Sequence, residues 1–169
     1  ISAAWTYTGG SNPYGYRALG EVSVFVFFGL VAVLGTMYVQ AGEFTWPAVA
    51  AAIGIGALAC AILVANNLRD IPTDIEAGKH TLAVLLGDRR SRLFYALLIL
   101  IAVGCLVWAA VVATPWALLG LIALPVAAKA VRTVFGGAAG MALIPVLKDT
   151  GIAQLLYAVG LAAGLSLGR

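Results

Sequence analysis

The chain has 169 residues, 63% of them hydrophobic, with a mean hydropathy of +1.04 and a formal net charge of +3. Its ten basic and seven acidic side chains are too few to cover a water-soluble globule, since soluble domains carry about 25% charged residues. This excludes a soluble domain and a disordered chain. No basic run with interleaved aromatics exists to bind nucleic acid. The natural solvent is the lipid bilayer, in which a spanning helix needs about 20 mostly apolar residues.

Taken in order, Ile1 to Trp5 reads as the tail of an earlier helix. The start without an initiator Met, a charged leader or a cleavage site is read as that of the C-terminal portion of a longer protein. Residues 1–21 are expected as a cytoplasmic loop, followed by spanning helices at 22–39, 46–64, 94–113, 116–130 and 152–167. The fourth contains Pro125, which removes a backbone hydrogen bond and predicts a kink. Met141 to Leu147, with Pro145, is too short to span and reads as a broken or interfacial lead into the last helix. The expected fold is all-α, a polytopic transmembrane bundle of about five spanning helices.

The connections differ in charge. Ala41 to Thr45 and Thr114 to Pro115 hold no Lys or Arg, whereas residues 66–92 and 129–149 hold most of the basic residues. One topology puts Arg17, Arg69, Lys79, Arg89, Arg90, Arg92, Lys129, Arg132 and Lys148 on a single side, nine of the ten basic residues. The positive-inside rule makes that side cytoplasmic, and Trp46 and Trp116 then fall at the outer interface. A multi-pass protein of the cell membrane follows. Cys60 and Cys105 lie in apolar stretches and read as small hydrophobes. Gly54, Gly56, Ala57, Ala59 and Ala61, and again Gly160, Ala162, Ala163 and Gly164, read as helix-packing faces.

The chemistry is concentrated in residues 66–81, NNLRDIPTDIEAGKHT, which begin at the cytoplasmic end of the second apolar segment. Asn66, Asp70 and Asp74 stand at i, i+4 and i+8, so that on a helix their oxygens share one face. Pro72 opposes a regular helix there and predicts that Asp74 arrives from a kinked or unwound turn. Paired carboxylates repel unless a cation lies between them. Hard oxygen ligands suit Mg²⁺, which commonly bridges carboxylates to substrate phosphates. Arg69 and Lys79 add phosphate donors, so the set reads as a diphosphate site. The competing reading is a cluster of merely solvated charges beside a membrane helix, although ionisable groups in such places point to function.

Other polar residues have simpler readings. His80 is the only histidine, which rules out a multi-His metal site; it reads as a surface loop residue. Asp149 or Thr150 is expected as the N-cap of the last helix. Asp88, Arg89, Arg90 and Arg92 are expected as a solvated turn facing lipid headgroups.

The run NNLRDIPTDIEAGKHTLAVLLG, Asn66 to Gly87, resembles the second aspartate-rich motif of the UbiA superfamily of intramembrane prenyltransferases. YTGGSNPYGYRALGE, Tyr7 to Glu21, and IPVLKDTG, Ile144 to Gly151, resemble one branch, which prenylates 1,4-dihydroxy-2-naphthoate in menaquinone synthesis. The resemblance implies the C-terminal part of a nine-helix fold and a Mg²⁺-dependent transfer from polyprenyl diphosphate, with decarboxylation to demethylmenaquinone. It implies Asp70 and Asp74 as Mg²⁺ ligands assisted by Asn66, with Arg69 and Lys79 contacting the diphosphate or organising the carboxylates. Tyr14, Tyr16 and Arg17 would belong to a cytoplasmic lid over the diphosphate, although interfacial anchoring is an equal reading for the tyrosines. The family's first aspartate-rich motif has no counterpart here, which implies that the chain by itself supplies one wall of the site and is inactive alone. Two alternatives stay open: another aromatic acceptor such as 4-hydroxybenzoate, and a transporter fragment binding a cation at a broken helix.

Overall fold

The computed structural model describes residues 18–168, and every regular element among them is helical. Five helices are long and apolar enough to cross a membrane: α1 (Gly20–Ala41), α2 (Trp46–Glu76), α3 (Leu82–Val112), α4 (Pro115–Phe135) and α5 (Gly140–Leu167). They coincide with the five expected segments but run further, because the polar flanks continue the helices. Tyr14, Tyr16 and Arg17 lie outside the described residues.

Two expectations are corrected. Residues 66–92, expected as a loop, are mostly helical: α2 continues without interruption through Pro72 to Glu76, and α3 begins at Leu82. A helix of 31 residues is about 46 Å long, against a hydrocarbon core of about 30 Å. The last turns of α2 are ordered helix rather than an unwound turn. In the second correction, α5 starts at Gly140 as a 3₁₀ turn and becomes α-helical at Ile144, with Pro145 in its first turn, where a missing N–H costs nothing. Asp149 and Thr150 are thus inside the helix and do not cap it.

Proline and glycine shape the helices. Pro125 stands in the first turn of the α-helical part of α4, after a nine-residue 3₁₀ stretch, Pro115–Ala123. At this junction the helix changes winding from 3₁₀ to α. In α1 a wide π-type stretch, Phe25–Val31, carries Gly29. Within α3, Gly87 has φ 72° and ψ 171°, a conformation open essentially to glycine alone. The Ser91 hydroxyl donates to the Gly87 carbonyl at 2.8 Å and braces the break.

Helix α2 is the centre of the bundle, packing on α1, α3 and α5. In its most apolar window 56% of the residues are buried, against 6% in α1. Lipid offers little hydrophobic drive for helix association, so close backbone approach has to supply it. A Cβ on Gly54 would overlap the Tyr157 ring of α5, and one on Gly29 would lie 2.7 Å from the Gly56 Cα. On α5, added Cβ atoms at Gly160 and Gly164 would collide with the Leu119 and Trp116 carbonyls of α4. Both glycine patches pack as expected from the sequence, although Ala162 and Ala163 are exposed. Buried Tyr157 also donates to the Ala102 carbonyl at 3.1 Å, tying α5 to α3.

Replacing Gly160 with Leu should lower stability by about 1–3 kcal/mol, because rigid backbone, not a flexible side chain, opposes the new atoms. Gly104→Ala, where a Cβ meets nothing within 4 Å, should leave stability unchanged or raise it. Thermal unfolding in detergent micelles compares the two. Gly87→Ala should also cost about 1–3 kcal/mol, since alanine does not tolerate that backbone conformation.

Candidate active site at the polar end of the bundle

The polar end of α2 is built by its own helical register. Asn66, Asp70 and Asp74 recur every four residues and drift by about 40° per step, so all three fall on one side of the helix. Asp70 is gripped by its neighbour Arg69, whose Nε and Nη2 donate to Oδ1 and Oδ2, each at 2.7 Å. The Asn66 amide adds a longer contact to Asp70 Oδ2 at 3.4 Å. This two-pronged geometry fixes the carboxylate plane.

Asp74 is positioned by the end of the helix. Gly78, at φ +67°, lets the chain reverse. The Gly78 N–H donates to the Ile75 carbonyl at 3.1 Å and the Lys79 N–H to the Asp74 carbonyl at 2.8 Å, the pattern of a Schellman C-cap. That reversal brings Lys79 Nζ to Asp74 Oδ1 at 3.1 Å. The Asp74 side chain is only 8% exposed, against 30% for Asp70, so its ion pair is the better shielded from water. Thr81 then caps α3 through its hydroxyl, which accepts from the Val84 N–H at 3.4 Å. His80 is exposed.

The expected set of Asn66, Arg69, Asp70, Asp74 and Lys79 is therefore assembled on one helix end and the turn after it. Arg69 and Lys79 organise the carboxylates. No cluster of three or more His, Cys, Asp or Glu occurs among the described residues. The donor set still fits Mg²⁺, which keeps several waters and needs only one or two carboxylates beside substrate phosphates. Both aspartates hold a cationic partner in place, which is the charge compensation that such a pair requires.

Three further features escaped the sequence reading. Arg92, expected to be solvated, is largely buried: it pairs with Asp88 at 2.7 Å and donates to the Val134 and Ala138 carbonyls at the end of α4. A guanidinium there satisfies orphan carbonyls and the negative end of the helix dipole. Asp149, buried on α5, accepts from Lys129 of α4 at 2.8 Å. Beside it the hydroxyls of Tyr95 and Thr150 are bonded at 2.7 Å. Finally, Glu21, at the start of α1, is 5% exposed. It accepts from the Asn67 amide at 3.0 Å. Its only sequence signal was an acid opening an apolar segment.

Residues 1–136 match the model of the UbiA prenyltransferase family. The chain is 54% identical, over its whole length, to a 1,4-dihydroxy-2-naphthoate octaprenyltransferase of Mycobacterium tuberculosis, of which it covers 58%. To the protein of the same name in Mycobacterium leprae it is 52% identical, with 99% of this chain and 56% of the relative covered. For that of Escherichia coli the identity is 39%, over 95% of this chain and 54% of the relative. The chain thus spans a little over half the length of these curated relatives. No solved structure matches it significantly. Its five apolar helices make it a multi-pass membrane protein, and the match over residues 1–136 places it in the UbiA prenyltransferase family.

Proposed function

We propose that this chain forms part of an enzyme that transfers a polyprenyl group from its diphosphate to 1,4-dihydroxy-2-naphthoate, with loss of CO₂, to give demethylmenaquinone. The observation that carries the reading is the Asp70 and Asp74 pair at the polar end of the most buried helix, each carboxylate already paired with a cation. The names of the similar proteins support the choice of acceptor. Because the chain spans only part of those relatives, the reaction is assigned to a protein of their length that carries it.

Asp70, Asp74 and Asn66 would hold Mg²⁺, which when bound neutralises the diphosphate and makes it a better leaving group. Arg69 and Lys79 bind the diphosphate oxygens and oppose the negative charge that grows as the allylic carbon–oxygen bond breaks. Such donors accelerate the reaction because they are oriented before the charge develops. The electron-rich ring then attacks the allylic carbon, and its carboxyl group leaves as CO₂. The helical bundle contributes by holding both reactants in register. A prenyl tail is soluble only in lipid, which explains a site at the membrane boundary. The basic side of the bundle, and with it the site, faces the cytoplasm of the cell membrane by the positive-inside rule. Tyr14, Tyr16 and Arg17 would contribute to a lid over the diphosphate.

In the full reading frame that carries this chain, Asp70→Asn or Asp74→Asn should lower prenyl transfer by about 100-fold or more and raise the Mg²⁺ concentration needed for half-maximal rate. Wild-type turnover in either variant, measured with radiolabelled prenyl diphosphate, would remove the metal assignment. A preference for 4-hydroxybenzoate over 1,4-dihydroxy-2-naphthoate would reverse the acceptor assignment. Orientation is checked separately in intact cells: a cysteine at Glu43 should react with a membrane-impermeant maleimide, whereas one at Ala77 should react only after permeabilisation.

A further inference from the structure

Glu21 is a buried acid that the diphosphate chemistry leaves unused. Its carboxylate has one oxygen, Oε1, bonded to Asn67 at 3.0 Å. The other, Oε2, is buried with no hydrogen-bond partner among the described residues. Leaving such an atom unsatisfied is costly, so native structures rarely do so without a functional reason. The residue is also fixed from behind, since the Cys60 thiol donates to the Glu21 carbonyl at 3.1 Å. Asn67 follows Asn66, which donates to Asp70. Adjacent helical residues point about 100° apart, so Glu21 flanks the aspartate wall instead of belonging to it.

We propose that Oε2 of Glu21 accepts a hydrogen bond from a hydroxyl of the aromatic acceptor and holds the ring beside the diphosphate wall. This rests on the prenyl-transfer reading given above and adds to it the residue that selects a dihydroxy ring. Like charges repel, so the carboxylate takes the 4-hydroxyl, which is remote from the acceptor's own carboxylate. A site built to bond a hydroxyl rejects an analogue that lacks it far better than an apolar pocket could.

The test uses the full reading frame in membranes and two ligands, 1,4-dihydroxy-2-naphthoate as substrate and 1-hydroxy-2-naphthoate as competitive inhibitor. Wild-type protein should transfer prenyl to the first and bind the second about 10- to 100-fold more weakly. Glu21→Gln keeps an acceptor for Asn67 but turns the second position into a donor. This variant should raise KM for the dihydroxy acceptor by a similar factor, leave KM for the prenyl diphosphate unchanged, and bind both naphthoates about equally. Asn67→Ser, which leaves the carboxylate intact, should retain the preference for the dihydroxy ring. It supplies that comparison if the Gln variant does not accumulate, and loss of the preference in it overturns the proposal. A Glu21→Gln protein with lower thermal stability but unchanged acceptor preference also overturns it, because the missing donor then comes from elsewhere in the chain. A rise in KM for the diphosphate alone overturns it as well, making Glu21 a positioning residue for the aspartates. Absence of transfer to 1,4-dihydroxy-2-naphthoate by the wild type instead refutes the broader functional reading.

Discussion

Helices in lipid gain little by exchanging acyl chains for one another's side chains, so this bundle depends on how closely backbones can approach at its smallest residues. That constraint converges on α2. Gly54 receives the Tyr157 ring from α5, and Gly56 meets α1 where Gly29 removes the opposing Cβ. Along the same helix Ala50, Ala57, Ala61 and Ala65 are fully buried. Held on several sides, α2 runs on as helix through its polar last turns to Glu76. The aspartates therefore project from a supported helix, and their relative position is set by helical register instead of loop conformation.

Charge is handled with the same economy. Asp70 pairs with Arg69, Asp74 with Lys79, Asp88 with Arg92 and Asp149 with Lys129. At a membrane boundary an uncompensated carboxylate is expensive, and these pairings compensate and orient the anionic side chains. The two pairs on α2 differ in kind. The Arg69 fork fixes the plane of Asp70, whereas Lys79 presents a point charge to Asp74 and depends on the turn at Gly78 to reach it. Glu21 stands apart, with one oxygen bonded and the other buried without a hydrogen-bond partner among the described residues.

The remaining polar contacts tie the helices to one another near this end. Arg92 joins α3 to the end of α4, and the Tyr95 and Thr150 hydroxyls join α3 to α5. At mid-depth the Gln154 amide reaches the Ile55 carbonyl of α2 at 3.4 Å. In a low dielectric such bonds fix rotational setting more than they add stability. They select one arrangement among the many that an apolar surface would permit.

The sequence by itself determined the solvent, the helix count, the glycine faces and the aspartate register, because each rests on local composition or on spacing along one helix. Asn66, Asp70 and Asp74 were legible for that reason, as were their cationic neighbours. Pro72 misled, since α2 runs through it as unbroken helix to Glu76. Asp149 and Arg92 misled in another way: a charge near a segment end reads as a cap or a solvated group until a second helix supplies its partner. Only the tertiary structure decided that Arg92 closes α4, that Asp149 is buried against Lys129, and that Glu21 leans on Asn67 across a gap of 46 residues. These are contacts between helices, and no period or motif along one strand of sequence encodes which helix will lie beside which.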